Sequence, residues 1–396
     1  MHQSNKKLFT AAYIILMAVN LVTSMGYSMT ATLISMYAVS FGATLGVAGI
    51  LGGIYSLAAL IVRPIGGLAS DRFNKRKLCL IFSLLTSLSL AGYALAWNIH
   101  ILFLFRILHG IAFGVSSTAS IALVSEFIPK ERMGEGLGYY GLGQVLSQVC
   151  GPIIGIYVRD RLGYNAMFLM ISLLTLIIMG FLSVMRYEPN EKLQVERNGP
   201  SFRLSHLIAI ECLAYTLIGG MFSLGNGIVN AFLLLIGEER GIPGIALFFS
   251  VNAVVLFGVR IFIGRIADEK SLTIVTNISL ILTALSMLLI GGARSLPIIL
   301  VAAVIKAVGQ GGGQLSLQLA CIKKVDPTRV GIAVSTFYIG ADIGQSIGPM
   351  LGGQMSDWLG YSWMLVVIAA IVALSMVFFN IYQWRQTRKA DALAAP

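Results

Sequence analysis

The chain has 396 residues, 57% of them hydrophobic and only 11% charged, with a mean hydropathy of +0.85. A soluble domain of this length carries far more charge, so the composition excludes an ordinary globular enzyme and points to a helical membrane protein. The net charge of +11 needs no nucleic-acid partner, because loops on the cytoplasmic side of a membrane collect Lys and Arg.

Apolar runs of about 20 residues suffice to cross a hydrocarbon core of about 30 Å. Twelve such runs follow one another, at roughly 8–37, 43–66, 77–97, 101–125, 134–158, 163–185, 205–236, 241–266, 271–292, 296–321, 331–355 and 360–384. The runs are continuous and do not alternate, which argues against a β-barrel. Lys6 and Lys7 precede the first run, but no cleavage site follows, so this run is read as a retained helix. The segment 186–204 is polar, holds Pro189 and Pro200, and interrupts the pattern near the middle of the chain. It reads as a cytoplasmic linker between a six-helix bundle at 1–185 and another at 205–396. With the N-terminus in the cytoplasm, outer loops hold only Arg159, Arg161, Arg240 and Arg294, and Arg106 and Lys306 fall within spans. The other 22 of the 28 Lys and Arg then lie on the cytoplasmic side. This bias predicts that both termini are cytoplasmic.

A charged frame in the first half, Arg63-x-x-x-Gly67-x-x-x-Asp71, returns as Arg260, Gly264 and Asp268, each shifted by 197 residues. The same shift pairs Arg132 and Gly134 with Arg329 and Gly331, Gly143 with Gly340, and Gln148 with Gln345. It also pairs Gly151-Pro152-x-x-Gly155 with Gly348-Pro349-x-x-Gly352, Asp160 with Asp357, and Leu162-Gly163-Tyr164 with Leu359-Gly360-Tyr361. Six spans separate the copies, so both halves share one membrane orientation and form parallel repeats.

On these residues the chain resembles the major facilitator superfamily over nearly its whole length. The loop after the second span carries Gly67, Asp71, Arg72, Lys75 and Arg76, close to that family's G-x-x-x-D-R-x-G-R-K signature, with Asn74 in place of a glycine. The fourth span has Arg106-x-x-x-Gly110. The fifth span matches the antiporter signature G-x-x-x-G-P-x-x-G-G only at Gly151, Pro152 and Gly155. Ser147 and Ile156 stand at two of its glycine positions, whereas the eleventh span has Gly344, Gly348, Pro349, Gly352 and Gly353. The resemblance implies an all-α polytopic fold of two pseudo-symmetric six-helix bundles, usually monomeric, that alternates access to a central cavity. It also implies that Arg63, Gly67, Asp71, Arg72 and Arg76, with Arg260, Gly264 and Asp268, form a cytoplasmic gate. The bland alternative for the charged loop is a solvated topogenic segment. The glycine–proline motifs read either as a rocking surface or as plain close packing.

Ionisable residues inside the membrane are costly and therefore informative. Arg106 and His109 lie in the fourth span, and Lys306 and Asp342 fall near mid-depth of the tenth and eleventh spans. Glu211 stands near the inner end of the seventh. These five are the candidates for proton or substrate coupling, and an ion pair or a shared proton-linked network between Lys306 and Asp342, with Asp342 the preferred proton carrier, is the sharpest form of that expectation. Static links between helices are the competing reading. Asn20, Tyr27, Tyr215, Asn226, Asn230 and Gln314 are candidate cavity residues on spans that line the cavity in the family, or else inter-helix hydrogen-bonding groups.

The expected function is secondary active transport at the plasma membrane, most simply proton-coupled efflux of an amphipathic drug-like compound or metabolite. The alternatives are proton-linked uptake of a small organic solute, including an organic anion, and, remotely, a membrane sensor on a transporter-like scaffold. No cofactor is expected beyond a proton gradient as energy source. The partners are a small-molecule substrate and the lipid bilayer. No HExxH or GxxxxGK[ST] motif and no CxxC pair occurs, so neither metal nor ATP chemistry is expected.

Overall fold

The computed structural model describes residues 8–129, 132–185, 187, 208–269, 272–325 and 330–394. The described residues form ten α-helices: α1 (Ala11–Ser40), α2 (Leu45–Arg72), α3 (Lys75–Ala94), α4 (Ile99–Val124), α5 (Met133–Val184), α6 (Leu213–Glu239), α7 (Leu247–Glu269), α8 (Leu272–Gly292), α9 (Leu296–Lys324) and α10 (Val330–Ala394). Two of the ten are too long for one crossing, and each breaks at a glycine with positive φ, Gly163 (φ 85°) in α5 and Gly360 (φ 75°) in α10. The ten helices thus comprise twelve helical segments. The repeated Leu-Gly-Tyr triplet marks this same break in both halves, because only glycine takes that backbone without strain. Nine helices among the described residues are long and apolar enough to cross a membrane, and the protein is an integral, multi-pass membrane protein.

Helix starts follow the local chemistry. Thr10, Asn74 and Asn98 each accept a backbone N–H of the first turn of α1, α3 and α4, which satisfies donors that a helix leaves open. Pro297 opens α9, where its missing N–H costs nothing.

The chain divides into two compact units, one of residues 1–43 and 54–201, the other of residues 44–53 and 202–396. The first turns of α2 thus belong with the second unit. The reason is local. Asp357 accepts hydrogen bonds from the backbone N–H groups of Leu45 (3.0 Å) and Gly46 (2.7 Å), capping α2 from a distant part of the chain. Gly49 and Gly53 then pack on the α10 backbone at Pro349 and Ser346, with no room for a side chain.

Within each unit the helices that carry the glycine–proline motif pack on the unit's first helix. In the second unit Gly340, Gly344 and Gly348, one turn apart on α10, press against Thr216, Gly220 and Leu224 on α6. Without a hydrophobic driving force between helices in lipid, such backbone-to-backbone approach is the main source of association. In the first unit Gly143, Gly151 and Gly155 on α5 meet α1 at Asn20, Ser28 and Leu33. Ser147 fills the departed glycine position, fully buried, with its Oγ 3.5 Å from that of Ser28.

Candidate functional site

Each unit buries charged or titratable groups at mid-helix and solvates them in its own way. In the first unit Arg106 and His109 on α4 are each only 1% exposed. The Arg106 guanidinium lies over the Tyr55 ring, 4.6 Å from its centroid, where the ring's negative face stabilises the cation. His109 meets the same ring edge-on at 4.8 Å, and its Nδ1 lies 3.0 Å from the Tyr93 hydroxyl. Tyr27, a predicted cavity residue, stacks against both Tyr55 (5.2 Å) and Phe113 (5.8 Å), whose rings also meet each other at 5.4 Å. Arg63, assigned from sequence to the cytoplasmic gate, lies 5.7 Å from the Phe113 ring. Four helices thus contribute to one aromatic and cationic cluster. Tyr55, Tyr93 and Phe113 escaped sequence reasoning because a tyrosine or phenylalanine in an apolar run carries no signal of what faces it.

The second unit uses amides. Lys306, ten residues into α9 and 2% exposed, donates to Asn226 Oδ1 on α6 (2.8 Å) and to Gln310 Oε1 one turn further along α9 (2.8 Å). Asn226 in turn donates from Nδ2 to Gln345 Oε1 on α10 (3.3 Å). One turn away along the same helices, Gln314 donates to Ser223 Oγ (3.2 Å). Asn252 bonds the Ala303 carbonyl (3.0 Å) and ties α7 to α9 beside this cluster. Gln310, four residues after Lys306, was legible as its helical neighbour, but sequence reasoning passed over it.

The expected ion pair between Lys306 and Asp342 is not what the fold makes. Two amide oxygens, one on its own helix and one across on α6, reach the ammonium instead, while Asp342 stands half-buried on α10 with other interactions. Glu211 is exposed, on a 3₁₀ turn (Ile210–Cys212) that leads into α6 at the start of the apolar span Ile210–Glu239, at the end of the seventh span where the sequence places it. Tyr215 is not a cavity residue, since it is buried in an apolar cluster and packs edge-on against Phe379 and Tyr382. Asn20 donates to the Tyr140 carbonyl (2.7 Å), a link between α1 and α5. Asn230 is half-buried on α6, one turn beyond Asn226.

Of the predicted gate, the side chains of Asp71, Arg72, Arg260 and Asp268 lie outside the described residues, and Gly264 stands within α7. Gly67 has open space where a Cβ would stand. Arg76 donates to the carbonyls of Leu182 and Ser183 and so caps the end of α5. Beside it Lys75 pairs with Glu126 (2.6 Å), and the Tyr187 hydroxyl donates to the other carboxylate oxygen (2.9 Å).

Gly151, Pro152 and Gly155, like Gly348, Pro349 and Gly352, sit buried in their helices. A cavity of about 400 Å³ in the second unit is lined by Arg240, Arg294 and Ser362. It is a capping site, since Arg240 donates to the carbonyls of Ile290, Gly291 and Ala293 at the end of α8. Asn226 and the amide cluster lie some 20 Å along α6 from Arg240, at about 1.5 Å per residue.

The Major Facilitator Superfamily model matches residues 16–331 and 217–395. The chain belongs to this superfamily. It is 23% identical over 348 residues to the staphylopine export protein of Staphylococcus aureus, covering 85% of this chain and 87% of that one. It is 24% identical over 361 residues to the multidrug resistance protein MdtG of Proteus mirabilis, with 85% and 84% covered. Among solved structures, a bacterial homologue of the human lysosomal transporter Spinster, in an inward-facing and occupied conformation, superposes with a TM-score of 0.77 at 13% identity, covering 95% and 96%. The superfamily and its fold make this superfamily member a transport protein and not an enzyme.

Proposed function

We propose that this superfamily member exports a small amphipathic compound or metabolite across the plasma membrane by alternating access, in exchange for protons. The observation that carries the reading is its similarity, along 85% of its length, to both an export protein and a multidrug resistance protein, of which 87% and 84% are covered. The buried Arg106, His109 and Lys306 support a transport role, because charge at mid-helix is retained where it meets a substrate or ion. Both termini are assigned to the cytoplasm by the distribution of Lys and Arg.

The test uses everted membrane vesicles with an acid lumen, in the presence of a panel of amphipathic dyes. Dye-dependent loss of the pH gradient in vesicles that contain the protein, and not in vesicles that lack it, is the expected result. Gradient-independent flux sinks the coupling, and no flux across the panel sinks the export reading.

One observation favours a second reading. Lys306 is bonded to neutral amides, an arrangement suited to an anion entering together with a proton. Accumulation of an organic acid driven by an inward proton gradient identifies uptake instead.

A further inference from the structure

We propose that Lys306, Asn226, Gln310 and Gln345 form a receptor within the second unit for the negatively charged head of the transported molecule, a carboxylate or a group of similar size and charge. The proposal rests on the transport reading above and adds the substrate's charge class and the residues that select it.

Charge comes first. An ammonium buried to 2% exposure is costly unless a counter-charge or a full set of hydrogen bonds compensates it. Its bonds here go to Asn226 and Gln310. Amides solvate a cation but do not neutralise it. A ligand that brings its own negative charge supplies what the amides lack. A cationic ligand meets repulsion at the same point.

The amides also permit the exchange. Each side-chain amide has an acceptor oxygen at one end and a two-proton donor at the other. In the present arrangement Asn226 turns its oxygen to Lys306 and its Nδ2 to Gln345. Rotation of the terminal group reverses this, so that Asn226 Nδ2 and Lys306 Nζ both donate to one anionic oxygen. The bond that must break first, Asn226 to Gln345, is 3.3 Å, longer than the usual 2.9–3.0 Å.

Access follows from the burial pattern. Lys306 and Gln310 are buried, while Asn226, Gln314 and Gln345 are half-buried. The ammonium therefore lies one layer of amides behind an accessible face. The Ser223–Gln314 pair extends this polar stripe by one turn and offers neutral groups to the uncharged part of a ligand. Lysine suits the role because it presents a compact charge on a flexible stem, able to advance toward a small anion.

The experiment measures binding to the purified full-length protein in detergent by thermal stabilisation, with matched pairs: benzoate and benzamide, hippurate and hippuramide, hexanoate and hexanamide. At least one acid is expected to bind about tenfold or more tightly than its amide, the size of one charged hydrogen bond. Lys306→Gln is expected to bring that ratio to about one without loss of melting temperature, since removing a buried charge spares the fold its desolvation cost. Lys306→Arg is expected to keep the preference for the acid. Equal binding of acid and amide, no binding by any pair, or an acid preference that survives Lys306→Gln overturns the proposal. Acid binding in detergent without flux in vesicles removes the transport reading and leaves the receptor. Flux of uncharged dyes that ignores Lys306→Gln leaves transport and removes the receptor.

Discussion

The Arg106 guanidinium rests 4.6 Å above the ring centroid of Tyr55, and the Tyr55 hydroxyl, itself buried, makes no hydrogen bond among the described residues. The ring, and not the hydroxyl, is therefore what Tyr55 gives the first unit. Tyr55→Phe is expected to keep stability within about 0.5 kcal/mol, whereas Tyr55→Leu is expected to cost about 1–2 kcal/mol through the lost cation–π contact and ring stack. Thermal unfolding in detergent separates the two, and equal losses would assign the contribution to the hydroxyl.

His109 is held by the Tyr93 hydroxyl at 3.0 Å. Tyr93→Phe leaves a buried ring nitrogen without that partner, with an expected cost of about 1–3 kcal/mol. The double variant Tyr93→Phe, His109→Leu is expected to lose less than the sum of the two single variants, because neither group is then stranded. Strict additivity in the double-mutant cycle would show that the two do not interact.

The glycines differ in what surrounds them. A Cβ on Gly344 would stand 2.8 Å from the Leu224 amide nitrogen, while one on Gly67 would meet nothing within 4 Å. Gly344→Ala is expected to cost about 1–3 kcal/mol by forcing α6 and α10 apart. Gly67→Ala is expected to be neutral or to stabilise α2 by up to about 1 kcal/mol. Melting temperatures check both, and any transport defect of Gly67→Ala without a stability change would place its role in gating.

Tyr187, just beyond the end of α5, has its pKa raised above the ordinary tyrosine value, first by burial and then by the Glu126 carboxylate that accepts its proton. A raised pKa favours the protonated form in the folded protein. Its stabilising effect is thus complete below the unfolded value of about 10 and is lost as pH rises toward the folded one. Melting curves from pH 8 to 11 are expected to show wild type falling toward Tyr187→Phe above about pH 10. A gap between the two that widens with pH would contradict this sign.

The transport superfamily was legible without coordinates. Periodic apolar length, a 197-residue repeat and a charged loop signature are linear properties of the chain, because lipid forces every crossing segment to satisfy its own backbone. The repeat even located the breaks in the two longest helices, since Gly163 and Gly360 both adopt backbone that side chains disfavour. What surrounds each buried charge was not legible. Lys306 and Asp342 share a depth, and depth alone suggested that they pair. The side-chain directions of two helices, α6 and α9, instead put Asn226 and Gln310 at the ammonium. Arg63 likewise belongs to a sequence motif of the gate and yet lies near Phe113.

The sequence by itself determined that the chain crosses the membrane many times, how the halves repeat, and that Arg106, His109 and Lys306 fall within apolar helices. Only the tertiary structure decided that the first unit meets its buried cation with aromatic rings and the second with amides. Burial follows from composition along one helix. A hydrogen-bond partner on another helix depends on rotation and register between helices, which the packing of small residues sets and which no single stretch of sequence records.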